Sequence, residues 1–330
     1  MQRRELLKLA ALGAGAGVLR QSGIASIVAD RPGNISVTVP IIDSHIHLFD
    51  PTRRGGVPWP ERTDTPLYKP ALPERYASIA QPLGVVGAIA IEASPLASDN
   101  DWLLQAVTDH PIVVGMVGDL IPSTPTYLLD LDRLHANPLF LGFRYGNLWN
   151  RNLLIDLEKP RFIDGLKALA QTKLVLECAN PDPDLIRAIV HVSDRVPDLR
   201  IVIDHLPHAA LPIDAHARSE YWSHLNTLAQ NRNIFVKLSE IPVLLNGQLQ
   251  TDVKYYQHSL DTIWSVFGED NIFFGSDWPN SDHVASVANT LRIVQAYVSP
   301  KGAAVCEKFF WKNSLAAYRW KKRTLDQPPS

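Results

Sequence analysis

The stretch Ile41-Ile42-Asp43-Ser44-His45-Ile46-His47-Leu48-Phe49-Asp50 decides how the rest of the chain is read. A short apolar run ends abruptly in side chains able to hold a ligand. In an extended chain residues two apart share a side, so His45 and His47 project together with Asp43, and Ile46 faces the other way. This reads as a buried strand ending at a site, where two imidazoles can serve a metal or a substrate carbonyl. A His-x-His triplet also occurs by chance, so its weight depends on the residues beyond it.

The next segment, residues 51–70, is rich in Pro, Gly, Arg and Asp. It reads as a long loop over a site, with Trp59 placed to close a pocket. Seven more short runs then appear at 85–91, 112–117, 139–144, 173–177, 199–204, 234–238 and 272–275. They are apolar on both faces, as buried parallel strands are. Helical spacing fills the gaps at 72–83, 99–109, 124–135, 160–171, 184–196, 217–231 and 252–267, and again at 282–297 and 302–320. Acidic groups open the helix at 99, and Pro160 stands in a first turn. Eight strands, each followed by a helix, predict a (β/α)8 TIM barrel. The competing doubly wound sheet lacks its glycine-rich phosphate fingerprint at the first turn.

The 330 residues suit one barrel over 38–320 with extensions. Hydrophobic residues make up 46% and charged residues 20%, with a net charge of -2, so no basic field for nucleic acid exists. The two cysteines, Cys178 and Cys306, lack metal spacing and read as buried thiols. Residues 321–330, Gln/Pro/Ser-rich, read as a flexible tail.

Gln2-Arg3-Arg4-Glu5-Leu6-Leu7-Lys8 precedes the Ala/Gly-rich apolar run from Leu9 to Leu19, too short to span a bilayer comfortably. It resembles a twin-arginine export signal, covering residues 1–30, with Gly23 and Ala25 as small residues near a cleavage point. It implies the twin-arginine machinery as a partner, a periplasmic location and no membrane span after processing. An ordinary amphipathic helix is the alternative.

In a barrel the C-terminal strand ends converge on one mouth. That gathers His45, His47, Glu92, Arg144, Glu177, His205, Lys237, Glu240 and Asp277 into one set. Polar residues at the ends of apolar strands are costly to bury without partners, which mutual proximity would satisfy. Asp43, Asp204 and Lys237 are the members that also read as structural groups. His110, His135, His191, His224 and His258 lie on the outer helices, whereas His208 and His216 come after strand six near the mouth.

The chain resembles the amidohydrolase-related family, in the branch containing L-fuconolactonase, 4-sulfomuconolactonase and 2-pyrone-4,6-dicarboxylate lactonase. The landmarks are Asp43-Ser44-His45-Ile46-His47, Val114 to Leu120, Leu141-Gly142-Phe143-Arg144, Asp204-His205-Leu206, Val236-Lys237-Leu238-Ser239 and Phe274-Gly275-Ser276-Asp277-Trp278-Pro279. Three departures bear on the substrate: Pro207-His208 after His205, Glu240 where Gly is usual, and Glu92 where lactonases often carry Gln.

The resemblance implies hydrolysis of a small carboxylated or sugar-acid lactone. Asp277 would be the general base, with His45, His47 and His205 orienting and polarising the carbonyl. Arg144 would grip a substrate carboxylate or sugar oxygen, with Glu92, Glu177 and Trp278 also bordering the substrate; for Trp278, packing is the alternative to a pocket wall. A buried ion pair of Arg144 with Glu92 or Glu177 is the alternative. The cofactor reading is one divalent metal, zinc or manganese, or none. His45, His47 and Asp277 would be its ligands, with Glu92 or Glu177 as a fourth. Two other readings stand beside hydrolysis: a metal-dependent decarboxylase or hydratase on the same barrel, and a non-catalytic periplasmic binding protein.

Overall fold

In the computed structural model the described residues are 39–209 and 211–329; the export segment of residues 1–30 lies outside them. Eight parallel strands form one sheet in sequential order. They are β1 (Ile41–His47), β2 (Val85–Ile91), β3 (Val113–Gly118), β4 (Phe140–Arg144), β5 (Val175–Cys178), β6 (Arg200–Ile203), β7 (Ile234–Leu238) and β8 (Ile272–Phe274). Helices come after them in turn: α1 (Pro73–Ala80), α2 (Asp99–Thr108), α3 (Tyr127–His135), α4 (Phe162–Thr172), α5 (Pro183–Arg195), α6 (Ala215–Leu228), α7 (Lys254–Phe267) and α8 (Val287–Val298). This is the expected (β/α)8 barrel.

Closure between β8 and β1 uses backbone and side chain together. Asp277 N–H donates to the His45 carbonyl at 2.8 Å and His47 N–H to the Trp278 carbonyl at 2.7 Å. The Ser44 hydroxyl reaches the Phe274 carbonyl. Asp43 accepts from Ser276 N–H at 2.8 Å, His45 N–H at 3.2 Å and the Tyr76 hydroxyl at 2.7 Å. Asp43 is therefore the structural group its sequence suggested: it holds the seam.

The core has two parts. One lies between strands and helices. The other fills the barrel with Ile42, Ile89, Val114, Val175, Val202, Phe235 and Phe273, and includes Ala317 and Tyr318 of the final helix, Asn313–Tyr318, and Trp320 just after it. Residues 321–329, expected as a flexible tail, instead lie against the barrel. Arg323 donates to the Val107, His110 and Val113 carbonyls, and Gln327 to those of Val86 and Pro111. These carbonyls lie at the end of α2, at the starts of β2 and β3 and in the turn before β3, where backbone acceptors lack a full set of ladder partners. Among the described residues no helix is long and apolar enough to cross a membrane.

Candidate active site

The period-two alternation of the strands builds the site. Val175, Val202, Phe235 and Phe273 face the barrel interior, so the residues two further on, Glu177, Asp204, Lys237 and Gly275, do so one layer higher. Glu177, Asp204 and Lys237 are fully buried. Gly275 supplies space: a Cβ there would stand 2.7 Å from the His45 Cβ.

Lys237 Nζ lies 2.8 Å from Glu177 Oε1, 3.1 Å from Asp204 Oδ1 and 3.0 Å from His45 Nδ1. The ammonium is thus enclosed by two carboxylates and an imidazole nitrogen, all within 3.1 Å. The Tyr318 hydroxyl donates to Glu177 Oε2 at 2.6 Å. Burial, helped by Asp204, lifts the Glu177 carboxyl to about 7. Glu177 therefore supports His45 from below and offers nothing to a substrate.

Above this layer His45 Nε2, His47 Nε2 and Asp277 Oδ1 form a triangle with sides of 3.3, 3.5 and 3.2 Å. The partners of His47 and His45 fix their tautomers. His47 Nδ1 faces the Ile91 carbonyl at 3.1 Å; a carbonyl only accepts, so Nδ1 carries the hydrogen and Nε2 is bare. Lysine only donates, so His45 Nδ1 accepts and its Nε2 carries the hydrogen. His205 Nδ1 meets Ser239 Oγ at 2.8 Å, and the same Oγ takes the His205 backbone N–H at 3.3 Å. With Ser239 donating to Nδ1, His205 presents Nε2–H. Burial pushes His45 and His205 well below the usual histidine range and His47 to about 4. All three are neutral at neutral pH.

Asp277 is pushed up to about 6 by burial. Its Oδ2 accepts from Asn280 Nδ2 at 2.6 Å, while Oδ1 takes no hydrogen bond from any described residue. Asn280 Nδ2 also reaches Glu240 Oε1 at 3.0 Å, and burial raises the Glu240 carboxyl. Sequence reasoning missed Asn280, whose signal is its place three residues past Asp277 on the next turn. His205, Glu240 and Asp277, at the ends of β6, β7 and β8, have φ of 51°, 51° and 61°. Each left-handed non-glycine residue costs about 1–2 kcal/mol. Strain is concentrated where three strands deliver their chemistry.

The other expected site residues turn out to be engaged. Arg144 Nε donates to Glu92 Oε1 at 2.7 Å and Nη2 to the Glu92 carbonyl at 2.8 Å. Glu92 also accepts from Trp149 Nε1 at 3.2 Å and from Ser94 N–H at 2.8 Å. The ion-pair alternative describes Arg144, and Glu92 is its partner. Trp278 corrects the expectation of a pocket wall. It faces away from the barrel interior, fully buried, with its ring tilted against Tyr76 (centroids 5.2 Å apart) under the Arg75 guanidinium. Trp59, from the loop after β1, does cover the site, with its ring 5.7 Å from that of His47.

The His45–His47–Asp277 triangle has the span of a zinc-ligand face, since ligands at ~2.0–2.1 Å in a tetrahedron stand about 3.3–3.4 Å apart. Its protons disagree. A metal needs the His45 Nε2 lone pair, and Lys237 on Nδ1 places a hydrogen there. Releasing it requires Nδ1–H to turn to Asp204, 3.5 Å away, and Lys237 to surrender its contact. As arranged, the His45–His47–Asp277 triangle does not offer three free lone pairs to a metal; among the described residues His45, Asp204 and His205, and His205, Glu240 and Asp277, are the other groups whose ligand atoms lie within 4.8 Å of one another.

Comparisons with known proteins agree with this architecture. A model of the amidohydrolase family matches residues 42–320. A curated relative, L-fucono-1,5-lactonase from Burkholderia multivorans, is 22% identical over 83% of this chain and 94% of its own. Among solved structures, a zinc-bound amidohydrolase from Burkholderia multivorans superposes with a TM-score of 0.73 at 19% identity, covering 85% of this chain and 99% of that one. The 5-carboxyvanillate decarboxylase of Sphingomonas paucimobilis superposes with a TM-score of 0.59 at 15% identity, covering 86% and 100%. At such identities the superpositions speak for the fold. The family match spans most of the barrel described above, and on it rests the conclusion that this chain belongs to the amidohydrolase family.

Proposed function

We propose that the protein hydrolyses a small lactone, with Asp277 as general base. The observation that carries this reading is the Asp277 carboxyl: buried, lifted to about 6, one oxygen unengaged, and beside the bare Nε2 of His47 at 3.2 Å. A base poised near neutrality is what activation of water requires. The curated lactonase relative supports the same direction.

In the proposed sequence the water oxygen attacks the lactone carbonyl carbon as Asp277 takes a proton. That proton sits on Oδ1 and is received by the His47 Nε2 lone pair. His205 Nε2–H donates to the developing oxyanion, the role that preorganised donors serve best in a site closed to water. Collapse breaks the ring C–O bond, and Asp277 returns its proton to the ring alkoxide. The product hydroxy acid ionises, releasing one proton to solution per turnover.

The test is proton release on a panel of lactones by wild type and Asp277→Asn, in chelator. Hydrolysis by wild type and its loss in the variant support the reading; an inert wild type contradicts it. The arginine-pair N-terminus further supports export of the chain to the periplasm. Unaltered size and location in a strain lacking twin-arginine transport would refute that part.

A further inference from the structure

We infer that the ends of β6, β7 and β8 form a divalent-cation site of His205, Glu240 and Asp277, and that filling it switches the hydrolysis off. The site stands on geometry alone; its effect on turnover rests on the lactone reading. Three clusters of ligand-capable side chains meet at the mouth among the described residues. Two of them share His45. In the His45–His47–Asp277 cluster the Lys237 contact on Nδ1 keeps a hydrogen on Nε2. In the His45–Asp204–His205 cluster the Lys237 ammonium lies 3.0 Å from His45 Nδ1 and 3.1 Å from Asp204 Oδ1, so it already takes the place of a cation. The third cluster has neither obstacle.

Asp277 is fully buried, and its Oδ1 takes no hydrogen bond from any described residue. A buried oxygen of this kind is costly to leave without a partner. The Asn280 amide donates to Asp277 Oδ2 at 2.6 Å and to Glu240 Oε1 at 3.0 Å, which holds the two carboxyl groups side by side. His208 Nδ1 donates to the Glu240 carbonyl at 3.0 Å and anchors that turn. Neighbouring carboxylates repel each other, and a dication between them removes the repulsion.

His205 completes the set. Its Nδ1 meets Ser239 Oγ at 2.8 Å, and a hydroxyl either donates or accepts. With Ser239 donating, His205 Nε2–H serves the oxyanion; with Ser239 accepting, Nε2 is bare and open to a metal. The place of one hydrogen separates the two states. The three ligand atoms lie within 4.8 Å of one another, against about 3.3–3.4 Å around a tetrahedral zinc. The partly exposed Glu240 side chain can supply the closure. One imidazole with two carboxylates suits zinc or manganese. Once they are ligands, Asp277 is withdrawn as base and His205 as oxyanion donor.

The experiment adds zinc chloride to the full-length chain, stripped with chelator and exchanged into clean buffer. Calorimetry reads binding and X-ray absorption reads coordination. Expected are one zinc per chain and one imidazole among oxygen ligands. Affinity is expected to fall at least about 100-fold in Glu240→Gln, the upper end of what even residues behind the ligands contribute. His45→Gln is expected to keep the wild-type affinity, with a thermal transition showing that each variant is folded; where His45→Gln does not fold, the imidazole count decides. Added zinc is expected to inhibit lactone hydrolysis at the concentrations that bind, and chelator to restore it. No binding, two or more imidazoles around the ion, or an affinity that survives Glu240→Gln would overturn the inference. Zinc that accelerates turnover would overturn the switch. With no lactone hydrolysed, the hydrolase reading falls, and binding and coordination still decide the site.

Discussion

Lys237 Nζ lies 3.0 Å from His45 Nδ1, and both side chains are fully buried. Because an ammonium has no lone pair to offer, this contact fixes the protonated nitrogen of His45 as Nε2. Nitrogen-15 NMR of histidine-labelled protein, with His45 assigned by its loss in His45→Gln, is expected to show Nε2–H and a bare Nδ1. A His45 protonated on Nδ1 would reverse the tautomer and restore the metal reading.

Arg144→Met is expected to lower stability by about 3–5 kcal/mol, the cost of leaving a buried carboxylate such as Glu92 without its partner. Chemical denaturation measures this. A variant of unchanged stability and raised KM would instead return Arg144 to substrate binding.

Asp277→Asn is expected to reduce turnover by ~100-fold or more without unfolding the protein. The sign of its stability effect is set by proton linkage. The Asp277 carboxyl is raised in the folded state from 3.8 to about 6, so its contribution is fully present below 3.8 and lost as pH rises through 6. Above pH 7 the variant is therefore expected to melt no lower than wild type, and a marked drop in Tm there would show that the ionised carboxylate stabilises the fold.

The same group sets the pH dependence of catalysis. A base must be ionised to act, so kcat/KM is expected to rise through an apparent value near 6 and level off above it. His45, His47 and His205 are already neutral across that range. A profile flat from pH 5 to 8 would exclude Asp277 as the titrating base.

Trp59 covers His47 from the loop after β1, with its ring also 5.2 Å from Phe49. Trp59→Ala is expected to raise KM about tenfold with a smaller change in kcat, the signature of lost uniform binding. A kcat that falls alone would place Trp59 in the chemistry.

The barrel was legible because apolar runs and helical spacing alternate. The observed β2 and β7 have the bounds read from sequence, 85–91 and 234–238. The last long helix starts later than its expected 282: residues 280–283 form a separate turn, and Ser286 caps the helix through Asn289 N–H at 3.3 Å. His45, His47, His205 and Asp277 were readable because each ends a strand. Trp278 was assigned to the substrate because it follows Asp277 directly, yet alternation from Gly275 and Asp277 already turns it away from the interior, where it packs against Tyr76. Tyr318 escaped notice because it arrives from the final helix and reaches Glu177 through the barrel, a contact 141 residues apart. The flexible tail was read from composition alone, and the carbonyls that hold Arg323 and Gln327 belong to segments far away in sequence.

The most direct measurement is the rate of proton release from a panel of small lactones in the presence of chelator, for wild type and Asp277→Asn side by side. The expected result is steady hydrolysis by wild type, unaffected by chelator, and a loss of ~100-fold or more in the variant. Wild-type activity abolished by chelator and restored by zinc, or a variant as fast as wild type, would contradict an Asp277 that activates water on its own.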